Sequence, residues 1–69
     1  MKQLDIERRF SCPCCGEKVF TARGEYEICG VCGWEDDPIQ FSKPDYTGGA
    51  NTLSLNQARQ AWKKHHQTN

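Results

Sequence analysis

No stretch of this sequence is apolar for long, and no run approaches the length of a membrane span. The first ten residues, MKQLDIERRF, carry Lys2, Asp5, Glu7, Arg8 and Arg9 and contain no apolar stretch of signal-peptide length. That absence points to a cytoplasmic protein, where thiols stay reduced. Hydrophobic side chains make up only 36% of the 69 residues. They suffice for one domain with a small core drawn from Val19, Phe20, Tyr26, Ile28, Trp34, Leu53, Leu55 and Trp62. So short a chain with so little to bury needs a staple. Net charge is missing too, because nine basic residues cancel nine acidic ones. There is no Ser-His-Asp spacing, phosphate loop or H-E-x-x-H motif. Asp36 and Asp37 are adjacent, so on a strand they would face opposite ways and make a poor acid/base pair. An enzyme is therefore not expected.

What the chain does have is five cysteines. An odd number fits poorly with a full set of intrachain disulfides, and a reducing compartment disfavours them. Metal ligation is the better use. Two pairs share one pattern: Cys12 and Cys15 are followed by Gly16, and Cys29 and Cys32 by Gly33. Two residues between cysteines let both sulfurs reach one ion when the chain turns tightly, and the following glycine lets that turn close with positive φ. Thirteen residues separate Cys15 from Cys29, close to zinc-ribbon spacing. The predicted ligands are Cys12, Cys15, Cys29 and Cys32. Four thiolates fill a tetrahedral ion and leave no position for water, so the ion reads as structural zinc. Iron in a rubredoxin-like site is the alternative, because a tetrahedral sulfur set does not distinguish the two. Cys14 lies between two ligands and is expected to point away from the ion as a small half-buried hydrophobe. Ligated thiolates leave the site with excess negative charge, so the folded protein is expected to be mildly acidic.

The pattern predicts a small metal-stabilised α+β domain over residues 1–69, with zinc-ribbon or rubredoxin-like knuckles joined by a β-hairpin. Residues 1–9 are expected to be loosely ordered. Residues 10–33 hold the knuckles and the hairpin. Its strands are expected at VFTA and EYEI, on either side of the turn residues Arg23 and Gly24. Residues 34–53 read as a long acidic loop, broken by prolines and by Gly48-Gly49. Residues 54–66 read as a helix: Ser54 and Gln57 make a capping box, and Leu55, Ala58, Ala61, Trp62 and His65 share one face. His65 and His66 read as solvated residues at its end.

The stretches CPCCG, YEICGVCGWEDDPIQ and GGANTLSLNQAR, in that order, resemble the CPCC family of small bacterial cysteine-rich proteins, from about Phe10 to Trp62. Many members carry proline where this chain has Gly30 and a bulkier residue at Gly33, departures that leave the four ligands intact. The resemblance implies a zinc-ribbon-like core and no particular activity. Some relatives are encoded beside secreted toxins, which implies an immunity role.

Three functions follow. The first is a protein-binding module, with Trp34 as anchor and Glu35, Asp36 and Asp37 steering a basic partner such as a toxin. The competing account is that Trp34 covers the knuckle as core. The second is nucleic-acid binding, for which only Arg59, Lys63 and Lys64 offer a basic face. The third is an iron electron carrier.

Overall fold

A computed structural model of the chain describes residues 8–65. Most of the expected loosely held segment 1–9 therefore lies outside the described residues, as does His66. Strands β1 (Phe10–Ser11) and β2 (Lys18–Phe20) pair antiparallel, with Phe10 opposite Phe20 and Ser11 opposite Lys18. The first cysteine pair sits at the tip of this hairpin. The second pair sits at the tip of another, where Ile28 bridges Glu35. There the Asp36 N–H donates to Glu27 O at 2.9 Å and the Tyr26 N–H to Asp36 O at 3.1 Å.

This arrangement corrects the predicted hairpin over residues 17–28. VFTA does not pair with EYEI. A cysteine turn reverses the chain, so the residues flanking each turn are brought side by side and bond there. The segment between the two hairpins is tied as a bend. The Glu27 carboxylate accepts from the Thr21 hydroxyl at 2.7 Å and from the backbone N–H groups of Thr21 at 3.2 Å and Ala22 at 3.1 Å.

Residues 34–53 also differ from expectation, since they contain a short helix α1 (Pro38–Ser42). Asp37 caps it, accepting from the N–H groups of Ile39 at 2.8 Å and Gln40 at 3.3 Å, with Pro38 in the first turn, where a missing N–H costs nothing. The rest of the segment has little regular structure, and side chains satisfy its backbone instead. Gln40 is fully buried. Its Nε2 is shared among the carbonyls of Tyr46 (3.0 Å), Leu53 (3.0 Å) and Asn51 (3.3 Å), while its Oε1 accepts from the Asn51 backbone N–H at 3.1 Å. The Asn51 carboxamide takes the place of a neighbouring strand for Glu35, bonding both its N–H and its C=O at 2.8 Å. The second Asp37 oxygen accepts from the Ala50 N–H at 2.8 Å. Gly49 passes so close that a Cβ there would stand 2.5 Å from that oxygen and 2.7 Å from Gln40 Cγ.

Helix α2 (Leu55–His65) begins with the predicted capping box: the Gln57 N–H donates to Ser54 Oγ at 3.1 Å and the Ser54 N–H to Gln57 Oε1 at 2.9 Å. Leu55 is its fully buried anchor. Arg59 Nε ties the helix to the first knuckle through Pro13 O at 2.8 Å. The core is Cys12, Phe20, Cys29, Trp34 and Leu55. Tyr26, Ile28 and Leu53, expected in it, are 49%, 67% and 43% exposed. The cysteine turns take the centre, and the hairpin around the second turn is too short to fold Tyr26 and Ile28 back over it. Among the described residues no helix is long and apolar enough to cross a membrane.

Asp37→Ala should lower stability by about 2 kcal/mol, since three N–H groups lose their acceptor. Gly49→Ala should cost roughly 1–3 kcal/mol through overpacking. The N–H of Ala50, followed by those of Ile39 and Gln40, holds the Asp37 carboxyl below its ordinary 3.8. Its contribution is therefore full above that value and lost as pH falls through the lower folded value. Thermal melts at neutral and acid pH check all three, and the Asp37→Ala deficit should shrink in acid.

Candidate metal centre

The two cysteine turns are near copies of one another. In the first, the Gly16 N–H donates to Cys12 O at 2.8 Å and the Cys12 N–H to Glu17 O at 2.8 Å. In the second, the Gly33 N–H donates to Cys29 O at 2.9 Å and the Cys29 N–H to Trp34 O at 2.8 Å. Closing each loop requires a left-handed residue, and Gly16 and Gly33 supply it at φ +88° and +85°. Gly30 meets no such demand, and a Cβ there would meet open space.

Packed against each other, the turns bring the sulfurs of Cys12, Cys15, Cys29 and Cys32 within 4.8 Å of one another. Cys12 and Cys32 lie 3.5 Å apart, and Cys15 and Cys29 3.7 Å. A tetrahedral ion with metal–sulfur bonds of about 2.3 Å has edges of about 3.8 Å, so the four donors already stand near the required size. All five cysteines are free thiols. These four could hold a metal ion. Cys14 is not in the group; it is half-buried and packs against the edge of the core.

The electrostatics favour neutral thiols while no cation is present. Burial pushes the Cys12 and Cys15 thiols up to about 11 and Cys32 up to about 12. Burial raises Cys29 too, but N–H groups outweigh it and leave this thiol below its ordinary value: Cys32 N–H at 3.5 Å and Val31 N–H at 3.3 Å. Burial likewise raises Cys14. Without an ion, then, the set stays largely protonated at neutral pH. A bound ion must displace those protons, and acid must drive it off.

The residues expected to face a partner lie elsewhere than predicted. Trp34 is 3% exposed, Asp36 0% and Asp37 4%. Trp34 belongs to the core, and Asp37 is the cap of α1. Asp36 accepts from the Gly24 N–H at 2.7 Å, and its other oxygen lies 3.9 Å from Arg23 Nη1. The Arg23 guanidinium in turn sits 5.4 Å from the Phe10 ring centre and 5.0 Å from that of Phe41. Only Glu35 keeps partial exposure. Carboxylates engaged this way hold the chain together and present no charge to a basic partner, which corrects the acidic-loop surface. For Asp37 the signal was present: Asp-Pro ahead of apolar residues is a helix start. Nothing local marks Gln40 or Asn51, whose partners lie up to sixteen positions away.

Two comparisons bear on the arrangement. The family described as Cysteine-rich CPCC matches residues 10–68, which include both cysteine turns, α1 and α2. No curated protein matches the chain.

Cys14→Ser should retain full metal content and near-native stability, whereas Cys12→Ser, Cys15→Ser, Cys29→Ser or Cys32→Ser should lose tight binding. Metal analysis of the five purified variants checks this. Metal loss in Cys14→Ser with retention in Cys12→Ser or Cys15→Ser would mean that the first turn uses a different pair.

Proposed function

The chain belongs to the cysteine-rich CPCC family, and from that premise we propose that it is a small structural-zinc protein acting as a protein-binding module. Four sulfur donors at tetrahedral spacing carry the metal part of the reading. Such a set leaves no coordination position for water or substrate, so the ion serves folding rather than catalysis. The same donors accept iron, and zinc is proposed because a redox-silent ion is all that a structural role requires.

The binding part is supported by the surface. Eight large apolar residues, Phe10, Tyr26, Ile28, Val31, Ile39, Phe41, Tyr46 and Leu53, are between 43% and 67% exposed. That is a large share for so small a chain, and exposed apolar side chains are the kind of surface a partner covers. An immunity protein that neutralises a toxin is one form such a module takes.

Protein from cells supplied with both metals should carry one zinc per chain, and chelation should unfold it, because the apolar core is too small to persist alone. Elemental analysis with circular dichroism before and after chelation tests this. A red protein loaded with iron in that experiment would replace zinc by iron, and retention of the fold after complete metal removal would end the structural assignment.

A further inference from the structure

We propose that the cleft between α2 and the second cysteine turn binds a short acidic peptide segment of a partner protein, a proposal that rests on the reading of this chain as a protein-binding module. The cleft measures about 410 Å³, and Cys14, Cys32, Trp34, Leu53, Ala61 and Trp62 are among its lining residues. It is a predominantly apolar hollow large enough for one or two side chains. Beside it lies a second hollow of about 380 Å³, which shares Cys14 and Trp62 and is lined also by Arg59 and Lys63. The two form a continuous surface with an apolar end and a basic end, and Trp62 lies at the junction.

Charge selects the occupant. Neither hollow is lined by a carboxylate, and α2 itself carries none. His65 lines the first hollow. Lys63 has no carboxylate partner among the described residues. Cys32, one of the lining residues, belongs to the sulfur group, which would keep a net negative charge once a divalent ion is bound. A bound segment is therefore oriented: its apolar side chain goes into the apolar hollow, and its carboxylates go outward to Lys63 and Arg59. Single-stranded nucleic acid also pairs aromatics with cations, but so few cations neutralise few phosphates, and the concave apolar end suits a side chain better than a stacked base.

The test uses the full zinc-loaded chain, immobilised and panned against a displayed library of random 12-residue peptides. A synthetic copy of the best peptide is then titrated into 15N-labelled protein. The expected consensus is an aromatic or aliphatic residue flanked by Asp or Glu, with shifts centred on Ala61, Trp62 and Lys63. Lys63→Glu and the cleft-filling Ala61→Gln should each weaken binding by about tenfold without changing zinc content or melting temperature, and the Lys63 effect should fall with salt. A basic consensus, or shifts centred on Tyr26, Ile28 and Val31, would overturn this assignment and leave the protein-binding reading standing. Failure to enrich any peptide would count against both. Tighter binding of a twelve-nucleotide oligothymidylate at the same residues would overturn the assignment in favour of nucleic acid.

Discussion

Four sulfurs within 4.8 Å of one another, two of them buried and two half-buried, cannot all ionise without a cation between them. The rest of the fold is arranged around that constraint. Each cysteine turn is closed by a left-handed glycine and braced by backbone bonds on both sides, so the donors are placed by main chain rather than by adjustable side chains. The large apolar residues of the core, Phe20, Trp34 and Leu55, pack around the buried Cys12 and Cys29. Turns and core therefore form one unit, and an ion held by the four sulfurs would be part of it; the thiols alone have little apolar packing to hold them together.

A second unit compensates for the small core by polar means. Asp37, Gln40 and Asn51 bind the acidic segment to the stretch that precedes α2, and Gly49 permits the close approach. A buried network of this kind specifies one geometry only if nearly every member is satisfied, and Gln40 and Asn51 meet that condition with several bonds each. Asp36 is less complete: its outer oxygen and Arg23 Nη1 face each other without a hydrogen bond. Phe10 and Phe41 flank the guanidinium and hold it near the buried carboxylate.

These two units explain how the charge pattern misleads. Six acids crowd residues 25–45 of the sequence against a single lysine, which suggests a negative surface. Asp36 and Asp37 are instead consumed by backbone donors inside the fold, and Glu27 ties a bend. The basic residues of α2, by contrast, stay at the surface. Along α2, exposed basic side chains and an apolar hollow thus share one face.

Spacing alone was enough to single out the four cysteines that the fold gathers into a group able to hold an ion. The repeated C-x-x-C-G pattern encodes a local turn whose geometry depends on its own residues, so Cys12, Cys15, Cys29 and Cys32 and the displacement of Cys14 were legible without coordinates. Helix α2 was legible for the same reason, since the Ser54–Gln57 box and the apolar face are local. Strand pairing was not, because a strand's partner is chosen by where the chain is brought back: each cysteine turn pairs its own flanks, so that Lys18–Phe20 meets Phe10 and Ser11 instead of EYEI. Nor were the roles of Asp36, Gln40 and Asn51, whose bonds join segments up to sixteen residues apart. A polar residue in sequence looks the same whether solvated or buried; only the closed tertiary structure decides, by supplying or withholding the partners that make burial of its charge or amide affordable.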